Sequence, residues 1–501
     1  MTTRTVAAVD LGAESGRVTA VSFDGARLDV RVVNRFGHEP GVRAGLLRWD
    51  IDGLWASIRS GLAELSRGSQ PVSAVGVDTW GVDYGLYGAD GALVDEPVSY
   101  RDPRNTTAMR DALRIVGADV LYDRTGVQLI PINTIFSLYA DRHAAVDRLA
   151  PAARLLMMPD VFHHLLSGST VSEYTAVSTT GAYDMAADGW AADVLEALGI
   201  PTDILPEVAP PGTDVGPLSG IPAEGALTGA RVVLPAAHDT ASAVVAVPFV
   251  DPGGLFISSG TWSLAGVQVD RAVITDASRR ANLTNEGGYA GSIRLLRNVM
   301  GLWILQQCRR QWAAEGTVLG YQQIAESAAV EPGFTTIIDP DAPDFLPPGD
   351  MPGRIREYCA RHAQPVPQTV GAVARCVVDS LALGYRTVVD DIAAVTGVRP
   401  PSISIVGGGA NHTLLSQLTA DATGLPVHCG PVEATALGNG AVQLAALGEL
   451  SGPQQIREVI AAGYPLTSYH PRTDDRWQSA LVRLHGLIAH RRSGVPAGTS
   501  T

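Results

Sequence analysis

Short apolar runs broken by polar turns alternate along the chain with stretches whose apolar residues recur at helical spacing, the pattern of layered α/β structure. The first run, "TVAAV", reaches Asp10. The turn "GAESG" follows, and a second run, "RVTAVSF", leaves at once, which predicts a strand, a turn and a strand. "SAVGVDTWGVDYGLY" reads the same way. Before it, "RWDIDGLWASIRSGLAEL" sets Leu54, Ile58, Leu62 and Leu65 on one helix face, with Asp52 as the cap. The proline-rich stretch "ILPEVAPPGTDVGPLSGIP" is predicted to be irregular. A new unit begins near Pro248–Gly254, where "LFISSGTWSLAGVQV" repeats the strand–turn–strand grammar of the N-terminus. Further on, "SISIVGGGANHTLLSQLTADATG" predicts a strand feeding three glycines and then a helix. Leu414, Leu415 and Leu418 form that helix's apolar stripe, and Gly424 ends it.

A chain of 501 residues exceeds one hydrophobic core, so two domains are expected, 1–247 and 248–490, with a disordered tail at 491–501. The net charge of −14, with no basic block beyond His490-Arg491-Arg492, argues against a nucleic-acid partner. The sequence has no lysine: all 37 basic residues are arginine. That excludes a Walker A loop, the strand lysine of protein kinases and Schiff-base chemistry. Cys308, Cys359, Cys376 and Cys429 form neither C-x-x-C nor a metal-ligand spacing, and reduced thiols are expected. No apolar run approaches membrane-spanning length, and the first residues lack a signal-peptide pattern, so a cytoplasmic location is expected.

Phosphate chemistry without lysine rests on backbone amides, arginine, hydroxyls and metal. In "DLGAESGR" the glycines would let successive N–H groups curl inward as an anion nest, with Ser15 and Arg17 as further donors. Asp10 beside phosphates calls for Mg²⁺ between them. A plain hairpin with an exposed arginine is the alternative, and no G-x-G-x-x-G fingerprint is present. Ser259-Gly260-Thr261-Trp262-Ser263 offers hydroxyls to phosphate, or is simply a serine-rich hairpin. Gly407-Gly408-Gly409 admits a flat ring close to the backbone, or merely links strand to helix. Three such turns in this order favour nucleotide binding.

"AAHDTASAV" sets Asp239 between His238 and Thr240 in a buried, Ala/Val-rich segment, where a carboxylate is costly unless used or paired. It is the natural base for an acceptor hydroxyl if phosphates sit nearby, since phosphoryl transfer asks little of its base. Capping the following helix is the competing role, and both can coexist. Trp80-Gly81-Val82-Asp83 and "YRDPRN" supply an aromatic face and hydrogen-bonding groups of the kind that hold sugars, or else a core tryptophan and surface ion pairs.

The set "AVDLGAESGR", "GVDTWGVDY", "YRDPR", "HDTASAV", "SSGTWSLAG", "NLTNEGG", "RNVMGLWILQQ", "IVGGGAN" and "GPVEATALGN" resembles the FGGY carbohydrate kinases, in order, from about residue 6 to about residue 450. Within that family the likeness is greatest to the kinases of L-rhamnulose. The resemblance implies two actin-like (ribonuclease H-like) domains of the sugar kinase/Hsp70/actin superfamily, each with a mixed five-stranded sheet, about a central cleft. The N-terminal domain would bind sugar and phosphate, and the C-terminal one the nucleotide. It implies ATP-dependent phosphorylation of the 1-hydroxyl of L-rhamnulose with Mg²⁺. L-Fuculose or D-xylulose is the alternative ketose, and a non-enzymatic nucleotide switch is the rival of another class. Carried onto this sequence, Ala13, Glu14, Ser15, Gly16 and Arg17 would line the ATP phosphates together with Thr261, and Gln306 and Gly408 would lie on the nucleotide. Gly81, His238, Asp239, Thr240 and Asn298 would contact the ketose, with Asp239 as base, while Asp10 would hold Mg²⁺ through water. The implied partner is a small ketose, with no nucleic acid and no membrane, for a monomer or homodimer. The sequence departs from the family pattern at Glu14, where serine is frequent, at Ala237, and at Asn411-His412. The Glu14 side chain is expected to point away from the phosphates.

Overall fold

The opening apolar run becomes strand β1 (Arg4–Leu11), buried from Thr5 onward, and the polar turn returns it as β2 (Ser15–Phe23). The computed structural model describes residues 3–493. Strands β3 (Leu28–Gly37), β4 (Val72–Thr79), β5 (Asp214–Pro217) and β6 (Arg231–Val233) complete a sheet of order β5–β6–β4–β1–β2–β3. The sheet has six strands, one more than the resemblance implies, because part of the proline-rich stretch is not irregular. Asp214–Pro217 pairs with β6 at the sheet edge, a place where proline is tolerated.

Pairing sets the functional register. β1 runs antiparallel to β2 and parallel to β4, which puts Asp10 opposite Arg17 on one side and Asp78 on the other. Thr79, the next residue of β4, bridges in parallel to His238. Helix α1 (Ile51–Ser66) buries Leu54, Ile58, Leu62 and Leu65 as the spacing predicts, each such side chain worth about 1.5–3 kcal/mol. Its cap is Asp50, not Asp52: the Asp50 carboxylate accepts from the Gly53 N–H at 2.9 Å. Asp52 lies in the first turn, where its charge meets the positive end of the helix.

The chain divides into two units. One holds the residues up to Pro248 together with Gln268–Leu296 and Glu433–Pro465; the other holds Phe249–Val267, Arg297–Val432 and the residues from Leu466. The second unit repeats the pairing grammar of the first. Strand β7 (Leu255–Ser259) is antiparallel to β8 (Trp262–Val269) across a polar turn, and β9 (Ile293–Met300) follows later in the chain, its residues up to Leu296 counted with the first unit and those from Arg297 with the second. β7 also pairs in parallel with β10 (Ile403–Val406), and β11 (Val427–Cys429) and β12 (Thr467–Tyr469) extend the row. Helices α3 (Trp303–Ala314), α4 (Val370–Thr396) and α5 (Thr413–Thr423) belong to this unit, and α2 (Asp239–Val245) to the first. Gly424 ends α5 in the left-handed region at φ 68°, its N–H returning to the Ala420 carbonyl.

The last helix runs from Arg476 to Ser493, so the tail expected to be disordered from 491 begins inside a helix; 494–501 lie outside the described residues. The four cysteines are buried and free. Among the described residues no helix is long and apolar enough to cross a membrane.

Candidate active site

Asp10 sits near the end of β1 between its two register partners. Arg17 Nε lies 2.9 Å from Asp10 Oδ2, and Arg17 also donates to Glu433. Burial raises the proton affinity of Asp10; Arg17 opposes this, and the charges of Asp239 and Glu433 add to it. Asp78 is fully buried and pushed well above the usual carboxylate range, first by burial and then by the charge of Asp10. Its Oδ2 accepts from Asn439 Nδ2 at 2.6 Å, while Oδ1 has no partner. Asn439 stands on α6 (Ala434–Ala446), where Gln443 holds its Oδ1 at 2.6 Å and also donates to the Ala7 carbonyl. Asp239 acts electrostatically on both Asp10 and Asp78. Three mutually repelling carboxylates, one with an orphaned buried oxygen, suit a divalent cation. Among the described residues no three His, Cys, Asp or Glu side chains are placed to hold an ion directly.

The turn from Gly12 to Gly16 is a hairpin and not a nest. Neither glycine takes a positive φ, and the Gly12 N–H is spent on the Ser15 carbonyl at 3.0 Å. Gly16 is needed for a different reason: a Cβ there would lie 2.4 Å from the Phe36 ring. Ala13 is half-buried and Ser15 exposed. Glu14 is half-buried, with Oε1 covered, and its carbonyl accepts from the His38 N–H. His38 packs against Trp49 and Trp80, and burial lowers its imidazole to about 4.

Trp80 does not offer a sugar-stacking face. Its ring centroid is 4.1 Å from that of Trp49, it is buried, and both indole N–H groups donate to Asp83 Oδ2, at 2.8 and 2.6 Å. Burial pushes Asp83 up to about 7 in spite of those two donors. The "YRDPRN" residues serve the scaffold too: Asp102 accepts from the Leu47 N–H and Asn105 donates to the Tyr100 carbonyl.

Gly81, His238, Asp239 and Thr240 are gathered in the first unit. Asp239 is the first residue of α2 and does not cap it: the cap position is His238, which makes no side-chain cap hydrogen bond, and the Asp239 Oδ1 accepts from the N–H of the adjacent Thr240 at 2.5 Å. About a quarter of its side chain remains exposed, and burial raises its proton affinity. The approach to Asp239 is held from behind. Glu173 Oε2 accepts from the Ala237 N–H at 3.0 Å and the Thr175 hydroxyl at 2.6 Å, and that hydroxyl accepts from the His238 N–H. On the His238 ring, Nδ1 is 3.2 Å from Arg294 Nη2 and Nε2 is 3.5 Å from Asp239 Oδ1. A Cβ on Gly81 would meet His238 Nε2 at 3.3 Å and Thr179 Oγ1 at 3.2 Å.

The other predicted residues belong to the second unit. The Gly260 and Thr261 carbonyls accept from the N–H groups of Leu302 and Trp303, which seats the β7–β8 turn on the start of α3. Gln306, one turn into α3, has a buried Oε1 without a partner. The triple glycine packs on the same turn: a Cβ on Gly407 or Gly409 would strike Ser259, whereas one on Gly408 would meet open space. Thr261, Gln306 and Gly408 therefore surround one structural feature, while Asn298 is half-buried on β9. His412 caps α5, accepting from the Leu415 N–H at 3.2 Å. Asp78, Glu173, Arg294, His38 and Asn439 were not among the predicted site residues. The available signal was charge and amide placed inside apolar runs such as "SAVGVD" and "SIRLLRNVM".

Residues 5–246 match the model of the N-terminal domain of the FGGY family of carbohydrate kinases, and residues 255–447 that of its C-terminal domain. The chain is similar to rhamnulokinase from Bacteroides thetaiotaomicron, 37% identical over 96% of this chain and 99% of that one. The Pectobacterium carotovorum rhamnulokinase is 38% identical over 97% of each. Among solved structures, a ligand-bound xylulose kinase from Lactobacillus acidophilus superposes with a TM-score of 0.76 at 17% identity, covering 98% of this chain and 97% of that one. Plasmodium falciparum glycerol kinase with ADP gives 0.75 at 12%, covering 98% of each. These likenesses show the fold, a mixed α/β structure of the actin-like, two-domain kind.

Proposed function

The chain belongs to the FGGY family of carbohydrate kinases, and on that premise we propose that it transfers the γ-phosphoryl group of ATP to the 1-hydroxyl of L-rhamnulose, giving L-rhamnulose 1-phosphate and ADP. Family membership makes it an ATP-dependent sugar phosphotransferase; the choice of ketose rests on the rhamnulokinase relatives. The observation that carries the mechanism is Asp239. One oxygen is fixed by Thr240, the side chain keeps access to solvent, and its charge raises the proton affinity of both Asp10 and Asp78.

Asp239 takes the proton of the attacking hydroxyl, a contribution worth about 10²–10⁴ in rate. Because the transferring group is largely dissociated in the transition state, a carboxylate is base enough. His238 and Thr240 hold the ketose, and Gly81 keeps the space before the His238 ring clear. Arg17 and the turn of residues 13–17 are assigned to the phosphates, and Thr261, Gln306 and Gly408 to the nucleotide. Mg²⁺, held through water by Asp10 with Asp78 beside it, would supply charge neutralisation on the phosphates.

ADP release measured over L-rhamnulose, L-fuculose and D-xylulose tests this reading. The highest kcat/KM is expected for L-rhamnulose; a higher value for another ketose reassigns the sugar, and no ADP release with any of them overturns the kinase reading.

A further inference from the structure

Arg294 is wholly buried on β9, and its side chain is aimed at the face of His238 away from Asp239. Its Nε donates to the Gly287 carbonyl at 2.8 Å and its Nη2 lies 3.2 Å from His238 Nδ1. A guanidinium carries donors only, so a hydrogen bond between them makes Nδ1 the acceptor and leaves the ring proton on Nε2. Glu286 Oε2 approaches the same Nδ1 at 3.4 Å, but it also lies 3.2 Å from Arg294 Nη1. A proton on Nδ1 would satisfy Glu286 only by facing the guanidinium N–H groups, whereas a bare Nδ1 leaves Glu286 its arginine and costs nothing. On the opposite edge Nε2 is 3.5 Å from Asp239 Oδ1, and that charge favours a proton there.

We propose that Arg294 is a positioning residue that fixes His238 as its Nε2–H tautomer, so that the ring presents a single N–H donor to an oxygen of the ketose beside the hydroxyl that Asp239 deprotonates. This rests on the reading of residues 238–240 as the sugar site. Glycine at position 81 keeps the Nε2 edge uncrowded, since any side chain there would begin 3.3 Å from Nε2 and 3.2 Å from Thr179 Oγ1. The tautomer thereby sets a rule of recognition: the sugar atom at this point offers a lone pair, and a group with only a donor there is rejected.

Long-range ¹H–¹⁵N spectra of the full-length, ¹⁵N-histidine-labelled enzyme without substrate test the proposal, with His238 assigned by its loss in His238→Gln. The Nε2-protonated pattern is expected; an Nδ1-protonated or doubly protonated ring overturns the inference. Arg294→Met should lose the single-tautomer pattern and raise the ketose KM about ten- to hundredfold, with the KM for ATP within about twofold. A folded Arg294→Met enzyme with an unchanged ketose KM also overturns it. Should that variant not fold, His238→Gln and His238→Asn decide together with the wild-type spectrum. The Gln amide reaches the place of Nε2 and should retain several times the kcat/KM of the Asn variant, whose amide reaches only that of Nδ1; the reverse order counts against the proposal. A preference for another ketose would change the substrate assignment and leave the spectrum as it is, so the two failures are separable.

Discussion

Replacing Glu173 by glutamine tests how the segment before Asp239 is held. Oε2 of this wholly buried side chain accepts from the Thr175 N–H at 2.9 Å, the Thr175 hydroxyl at 2.6 Å, the Ala176 N–H at 3.2 Å and the Ala237 N–H at 3.0 Å, while Oε1 has no partner. Burial lifts the carboxyl from 4.5 to about 8, with those donors working in the opposite direction. The folded state therefore keeps a proton that the unfolded chain gives up at lower pH. The associated stability is complete below about 4.5 and falls as pH rises towards about 8. At about 1.4 kcal/mol for each decade of proton affinity, the full span is worth roughly 5 kcal/mol. Glutamine is the neutral mimic of the protonated acid, and its carbonyl oxygen can accept the same donors. Denaturant unfolding of wild type and Glu173→Gln should coincide near pH 5 and diverge towards pH 8.5, with the variant the more stable. Asp83, lifted to about 7 by burial, adds a slope of the same sign, but it is common to both proteins and cancels in the difference. A gap that does not change with pH, or a wild type that gains on the variant as pH rises, refutes the reasoning.

Three further outcomes follow from particular contacts. Asp239→Asn should lower kcat by about 10²–10⁴ while calorimetric binding of a non-hydrolysable ATP analogue is preserved; near-normal turnover removes Asp239 as the base. Gly16→Ala puts a methyl group 2.4 Å from the Phe36 ring and 2.7 Å from Leu11 Cδ2, a strain of about 1–3 kcal/mol in unfolding experiments that Gly16→Ala/Phe36→Leu should relieve. Asp50→Ala removes the cap of α1 and should cost about 1 kcal/mol of stability with kcat unchanged; an equal loss from Asp52→Ala instead would return the cap to Asp52.

Features that depend on neighbours in sequence were legible without the structure. The stripe of α1, the two strand–turn–strand units and the stop at Gly424 follow from spacing over a few residues, and Asp239 stands out as a candidate because the stretch around His238-Asp239-Thr240 is rich in Ala and Val. What escaped depends on pairing between distant segments. Asp78 becomes a partner of Asp10 only because β1 and β4 run parallel in that register, and a slip of one residue would send its carboxylate to the other face of the sheet. Gly16 shows the converse error: a glycine in a polar turn suggests backbone freedom, yet it is required by an aromatic ring on β3. For Trp80 the sequence leaves a sugar platform and a core tryptophan both open, and the structure gives the second, because Trp49 arrives from before α1 to share Asp83 with it. Arg294 is the extreme case. Nothing in "SIRLLRNVM" separates an arginine buried behind the site from one at a sheet edge, because the distinction lies in His238 and Glu286, which other stretches of chain bring to it. The groups proposed to act on the substrate sit in short motifs that can be read locally. The groups proposed to fix their protons and orientation come from elsewhere, so Asp239 and His238 are reached as candidates from the sequence, whereas the approach of Arg294 to His238 Nδ1 is visible only in the structure.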